Sequence, residues 1–183
     1  MSQRTPSPPI PDNLKDRLKV SYDLIAQKYN EWTAYNSSVR LTYLDHLLDL
    51  LPSPSTEPKT KTTTPLRALE LGCGAGIPIT STLLSSPRGI PFHVTANDLS
   101  STQIALGKEK LGDDETKVRW IQGDMTTLTF DENTFDVIIA LYSLIHLPRE
   151  EQKAMLGSIY KWLKPGGVVL MNFGEEERRV FLK

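Results

Sequence analysis

Apolar positions recur at helical spacing through Leu14, Leu18, Tyr22, Ile25 and Tyr29, and again through Leu44, Leu47, Leu48 and Leu51 after a break near Asn36. The pattern predicts two amphipathic helices ahead of everything else. After Pro65 the texture changes to short apolar runs alternating with amphipathic segments. The runs predict strands near 66–71, 92–97, 117–122, 134–141 and 167–173, with helices near 77–86, 100–111 and 150–163 between them. Met155, Leu156, Ile159, Tyr160 and Leu163 mark the last of these helices. "FDVIIAL" is apolar at almost every position, as a parallel strand covered on both faces requires. Repeated strand, helix, strand units of this kind predict the α/β class: a doubly wound, mainly parallel five-stranded sheet with helices on both faces and helices at the N-terminal end. Lys164, Pro165, Gly166 and Gly167 read as a stop signal that ends the last helix and turns the chain into its final strand.

Polar stretches mark the boundaries. Residues 1–13 carry four prolines and little that is apolar, and are expected to be a disordered N-terminal segment. "LPSPSTEPKTKTTTPL" is rich in proline and threonine and reads as a flexible insertion at 52–65 within a single domain spanning 14–183. At 183 residues the chain suits one domain. Lys and Arg total 21 against 22 Asp and Glu, interspersed, so no basic field offers itself to nucleic acid. No run approaches the roughly 20 apolar residues of a membrane helix, and no signal-peptide core is visible, which leads to an expected cytoplasmic location without a membrane partner. The lone Cys73 has no disulfide partner, and His46, His93 and His146 lack metal-ligand spacing, so no metal is expected.

Chemistry concentrates where strands end. In "RALELGCGAGIP" the glycines Gly72, Gly74 and Gly76 follow the first predicted strand. They permit a tight turn and close approach of a ligand to the backbone, or they serve the turn alone. The spacing is G-x-G-x-G, not the G-x-G-x-x-G of a dinucleotide fingerprint. In "HVTANDLS", Asp98 closes the second strand; its two oxygens suit the hydroxyls of a ribose, although Asp98 or Ser100 equally suits the cap of the next helix. In "WIQGDM", Gly123, Asp124 and Met125 close the third, with Asp124 able to accept from an adenine amine and Met125 to pack on the ring. These strand ends share one edge of the sheet, where open α/β folds bind ligands.

"LELGCGAG" with Asp98, "GDM", "FDVIIALYSLIHL" and "LKPGG", in that order, resemble the class I S-adenosylmethionine-dependent methyltransferases over about Tyr22 to Phe173, especially small-molecule enzymes similar to those of quinone biosynthesis. The resemblance implies strand order 3-2-1-4-5 and S-adenosyl-L-methionine as cofactor. It implies that Glu70 holds the methionine amino group, that Gly72, Cys73, Gly74 and Gly76 line the methionine and ribose, and that Asp98, with Leu99 beside it, binds the ribose. Asp124 and Met125 then bracket the adenine, Ala140 and Leu141 follow the methionine arm, and Tyr29 covers the mouth or, with Tyr22, simply anchors its helix to the core. Tyr142 and His146 are candidates to face the acceptor, His146 as a general base, against a purely structural role for each. The implied reaction moves a methyl group to a small-molecule acceptor by in-line displacement, for which alignment and water exclusion suffice.

A nicotinamide-dependent oxidoreductase is the competing enzyme reading, and the glycine spacing and Asp124 count against it. A non-catalytic subunit of the same fold is the other. Relatives usually continue past the fifth strand with a helix and an antiparallel strand pair, whereas only "GEEERRVFLK" follows Phe173 here. The expectation is therefore a sheet lacking that pair, with weak unaided activity and a homodimer or partner subunit at the fifth-strand edge.

Overall fold

The computed structural model describes residues 10–35, 37–51 and 64–173. Two helices, α1 (Leu14–Tyr35) and α2 (Ser38–Asp49), precede β1 (Leu66–Leu71). Then come α3 (Ile79–Leu84), β2 (Phe92–Asp98), α4 (Ser101–Leu111), β3 (Val118–Gln122), β4 (Phe135–Ala140), α5 (Arg149–Trp162) and β5 (Leu163–Met171). The strands form a five-stranded sheet in the order β3-β2-β1-β4-β5, and every pairing is parallel. The expected order and sheet type are thus present. The residues around the expected insertion, 52–63, and the ten after Phe173 lie outside the described residues, as do 1–9.

Period-2 alternation splits the strands between two cores. On one face Ala68, Val94, Ala96, Val137 and Ile139 pack with Leu44, Leu47 and Leu48 of α2, Leu83 of α3 and Ile104 of α4. On the other, Leu69, Leu71, Phe135 and Ile138 pack with Met155, Ile159 and Trp162 of α5. Phe130, in the connection before β4, stands edge-on to Phe135 and to Trp162 at 5.0 and 5.1 Å between ring centroids.

Three local readings need correction. On α5 the buried stripe is Met155, Ile159 and Trp162, while Leu156 and Tyr160 are exposed. On α1 only Ala26 and Thr33 are buried, whereas Ile25 is 46% and Leu24 81% exposed. The face of α1 that turns inward meets a pocket rather than a core, and a pocket face need not be apolar. Finally, the Lys164–Gly167 segment does not precede β5 but interrupts it: Leu163 pairs with Phe135 directly after α5, and regular pairing resumes only at Val168 opposite Val137. Gly166, at φ +77°, takes the left-handed turn inside this bulge. Among the described residues, no helix is long and apolar enough to cross a membrane.

Candidate functional site

The chain order reverses between β1 and β4, and there the strand ends open into a crevice. Alternation sends Leu69 and Leu71 into the α5 core and Glu70 to the opposite side, toward α3, where Thr80 Oγ1 donates to its Oε2. Burial pushes the Glu70 carboxyl up to about 7, against the opposing pull of the Thr80 hydroxyl and amide. Asp98 ends β2 with Oδ2 accepting from the Gly74 amide and Oδ1 from the Ser100 amide, both at 2.8 Å. Its carboxyl too is raised by burial, with those amides opposing. Of the two expectations for this turn, the structure shows the helix cap. Ser100 caps α4 by accepting from the Gln103 amide, and Asp98 shapes the turn while keeping lone pairs for a ligand.

The three glycines exclude side chains for different reasons. A Cβ on Gly72 (φ +73°) would stand 2.3 Å from Ser143 Cβ. One on Gly74 (φ +56°) would meet nothing nearer than Gln103 Oε1 at 3.8 Å, so it is this position that opens onto the pocket. Gly76 packs instead beneath Leu111 and Trp120, each 2.9 Å from where its Cβ would lie. Gly76 therefore does not line the pocket with Gly72, Cys73 and Gly74. Ala140, also expected at the site, is fully buried in the α5 core and stands outside the lining as well.

Asn97 holds the floor together. Its carbonyl accepts from the amides of Gly72 and Cys73 (2.8 and 2.9 Å), and its side-chain Nδ2 donates to the carbonyls of Ile121 and Gly123 at 3.0 Å. One buried residue thereby links the ends of β1, β2 and β3.

The roof is α1. Tyr29, expected there, lines the pocket together with Lys15, Leu18, Tyr22, Asn30 and Thr33 of the same helix. Lys15 Nζ reaches Asp124 Oδ2 at 2.6 Å and Glu151 Oε2 at 2.7 Å. Partial burial pushes the Asp124 carboxyl up, but Lys15 and Thr126 outweigh it and hold it below the usual range. Leu99, Met125 and Leu141 line the pocket as expected. Tyr142 (φ +57°) follows β4, with its amide donating to Asn172 Oδ1 and the Arg40 guanidinium 4.8 Å above its ring centroid. His146 Nε2 and the Tyr22 hydroxyl are hydrogen-bond partners at 2.9 Å. Burial lowers the imidazole pKa and raises the phenol to about 12, so at neutral pH both are uncharged.

Arg40, Gln103, Asn30 and Ser143 are pocket residues that sequence reasoning missed. Gln103, 1% exposed, leaves both amide atoms without a partner among the described residues, as do Asn30 Nδ2 and Ser143 Oγ. Buried polar atoms are seldom left so, and all three residues line the pocket. A polar residue on the buried stripe of α4, beside Ile104, was the available signal for Gln103.

A family profile described as "Methyltransferase domain" matches residues 68–167. A phosphoethanolamine N-methyltransferase of Triticum aestivum is 32% identical over 106 residues, 58% of this chain and 20% of that protein. A demethylmenaquinone methyltransferase of Staphylococcus aureus is 32% identical over 105 residues, 57% of this chain and 42% of its own length. The matches thus span less than half of these relatives' own length. Among solved structures, Haemonchus contortus phosphoethanolamine N-methyltransferase 1, in complex with phosphoethanolamine and S-adenosylhomocysteine, superposes with TM-score 0.65 at 19% identity, covering 90% of this chain and 33% of that one. The DhpI–SAH complex gives TM-score 0.65 at 24% identity, over 88% of this chain and 70% of that one. These likenesses support the fold, and the profile covers more than half of the residues. The chain belongs to the methyltransferase domain family.

Proposed function

We propose that this chain binds S-adenosyl-L-methionine across the strand ends and transfers its methyl group to a small-molecule acceptor. The observation that carries the reading is the pair of carboxylates, buried Glu70 and half-buried Asp98, lining one pocket, each made harder to ionise by its removal from water. Such a pair favours a ligand that brings a cation and hydroxyl donors and no phosphate, which describes a nucleoside joined to an amino acid and not a dinucleotide. The unpartnered atoms of Gln103 and Ser143 add neutral polar groups to the same wall.

Under this reading Glu70 takes the ammonium and the Arg40 guanidinium the carboxylate of the methionine arm, along which Leu141 lies. Gly72, Cys73 and Gly74 admit the backbone approach, Asp98 accepts from the ribose diol with Leu99 beside it, and Asp124 and Met125 bracket the adenine. Tyr29 closes the roof. Gly76 and Ala140 are given packing roles instead. The bound cofactor supplies a methyl carbon activated by its sulfonium; the chain's own work is to hold, align and exclude water. Tyr142 and His146 border the remaining space. A neutral His146 can take a proton from the acceptor, with the Tyr22 hydroxyl fixing its ring. Relatives named for phosphoethanolamine and demethylmenaquinone support a small acceptor and favour an enzyme over a non-catalytic subunit.

Residues 14–183 are proposed as one methyltransferase domain, in the cytoplasm. β5 pairs only with β4 among the described residues, which keeps its outer edge as the proposed contact for a second copy or a partner subunit. Light scattering tests that point, and a monodisperse monomer would remove it.

Calorimetric titration with S-adenosylhomocysteine and with NAD tests the main reading. The first is expected to bind and the second not. Asp98→Ala is expected to weaken binding by about 1 to 3 kcal/mol through lost charge-assisted hydrogen bonds. Equal affinity in wild type and variant would take Asp98 out of the site.

A further inference from the structure

We infer that Asp23 is a positioning residue for ribose recognition, fastening the roof helix to the turn that aims Asp98 and Gln103. The inference rests on the cofactor reading above.

One residue along α1 from the pocket-lining Tyr22, the Asp23 side chain turns about 100° around the helix and reaches the N-terminus of α4. Its Oδ1 accepts from Ser100 Oγ and from the Thr102 amide, the latter at 3.1 Å. Its Oδ2 pairs with Lys19 Nζ at 2.6 Å, and Lys19 donates to Ser101 Oγ at 3.1 Å. Ser100 is fully buried and faces both ways. Its hydroxyl accepts from the Gln103 amide at 3.1 Å, and its own amide donates to Asp98 Oδ1 at 2.8 Å.

A helix begins with amides that have no partner inside it. In α4 the Gln103 amide is satisfied by Ser100, the ordinary local cap, but the Thr102 amide is satisfied from a different helix. That second cap is not needed to keep α1 in place, because Lys15 and Tyr22 already tie it to Asp124, Glu151 and His146. What it adds is orientation. The Ser100 hydroxyl has one proton, and Asp23 takes it; the hydroxyl oxygen is thereby left facing the Gln103 amide, and the Ser100 amide faces Asp98. Both residues that hang from this junction line the pocket, and Gln103 arrives with its side-chain amide unpartnered. Removing Asp23 frees the Ser100 hydroxyl to turn, and the carboxylate and the amide lose their shared reference point. Roof closure and the aim of the ribose acceptors are one event.

The test compares S-adenosylhomocysteine with its 2′-deoxyribose analogue by calorimetric titration. Wild type is expected to prefer the natural ligand by about tenfold, the worth of one hydrogen bond to a charged group. Asp23→Ala is expected to lose about tenfold in affinity for the natural ligand and less than twofold for the analogue, so that discrimination collapses. Asp23→Asn, which keeps the Oδ1 acceptor, is expected to retain most of it. Should Asp23→Ala fail to fold, Ser100→Gly cuts the same link while keeping the amide to Asp98, and glycine remains a tolerated cap; the same collapse is expected. Equal losses for both ligands would overturn the inference and leave Asp23 a simple roof contact. A wild-type chain that binds neither ligand would overturn the cofactor reading and this inference with it, whereas undiminished discrimination in the variants would overturn the inference alone.

Discussion

Glu70 carries a burden that is visible in its protonation. Its carboxyl titrates near 7 in the folded chain because burial disfavours the anion, against an ordinary value of 4.5. Between those values the folded state holds a proton the unfolded state has released, so this group's contribution to stability falls as pH rises from about 4.5 to 7 and is constant above. A bound ammonium reverses the preference. Affinity for S-adenosylhomocysteine is therefore expected to rise about tenfold per unit as pH climbs toward 7 and to level off beyond it, and Glu70→Gln is expected to flatten the profile. Titrations at several pH values decide, and a flat wild-type profile would remove Glu70 from contact with the ammonium. The glycines allow a sharper comparison. Gly72→Ala meets Ser143 Cβ and a left-handed backbone together and is expected to cost about 3 kcal/mol of folding stability. Gly74→Ala meets only the Gln103 side chain, at the ordinary contact distance of 3.8 Å, and is expected to cost only about 1 to 2 kcal/mol, from the backbone alone. Urea midpoints of the two variants would separate them. The motif announced that side chains are excluded; it did not say by what, because Ser143, Leu111 and Trp120 approach from distant parts of the chain.

At the level of elements, the roof and the floor are held by different forces. α1 buries little apolar surface and is fastened by Lys15 to Asp124 and Glu151, by Asp23 to the head of α4, and by Tyr22 to His146. Ion pairs at half-exposed positions contribute about 0 to 1 kcal/mol each and weaken as salt screens them. Trypsin cleavage within α1 is expected to accelerate several-fold between about 0.05 and 0.5 M salt, with a Debye length shrinking from roughly 14 to 4 Å, and to slow when ligand is bound. Lys15→Met is expected to cleave quickly at low salt and to respond less to added salt. Cleavage rates that ignore salt would refute the polar attachment. The sheet strands were legible from the sequence because a strand covered on both faces must be apolar throughout, as in β4. The orientation of α1 was not, since a helix that lines a pocket turns Lys15, Asn30 and Thr33 inward and leaves Leu24 and Ile25 outside. The bulge in β5 looks like a boundary in the sequence because Pro165 and Gly166 signal a break without saying that pairing has already begun at Leu163.

Across the whole molecule, the two cores differ in how they are knit. The α5 side depends on the aromatic cluster of Phe130, Phe135 and Trp162, so Trp162→Ala is expected to cost about 3 to 5 kcal/mol, read from the urea midpoint. A loss below about 1 kcal/mol would mean that the neighbours collapse into the space. Trp162 escapes the sequence reading because Leu156, Tyr160 and Leu163, one position along from Met155, Ile159 and Trp162, carry an apolar pattern of the same period without it. Asn97 joins three strand ends in the floor, and nothing in "HVTANDLS" marks it, since its side chain's partners are carbonyls at the end of β3 and its carbonyl's partners lie after β1. Its consequence lies in how the molecule breathes. The amides of Gly72 and Cys73 end on a fully buried residue that joins three strands, so they can open only when the sheet itself comes apart; the amides of α1 can open with a helix that lifts alone. In deuterated solvent the floor should keep its protons for as long as the protein stays folded, while the roof gives up its own in a fraction of that time. The glycine floor is thus set before any ligand arrives, while the cover, and with it the aim of Asp98 and Gln103, is left to move.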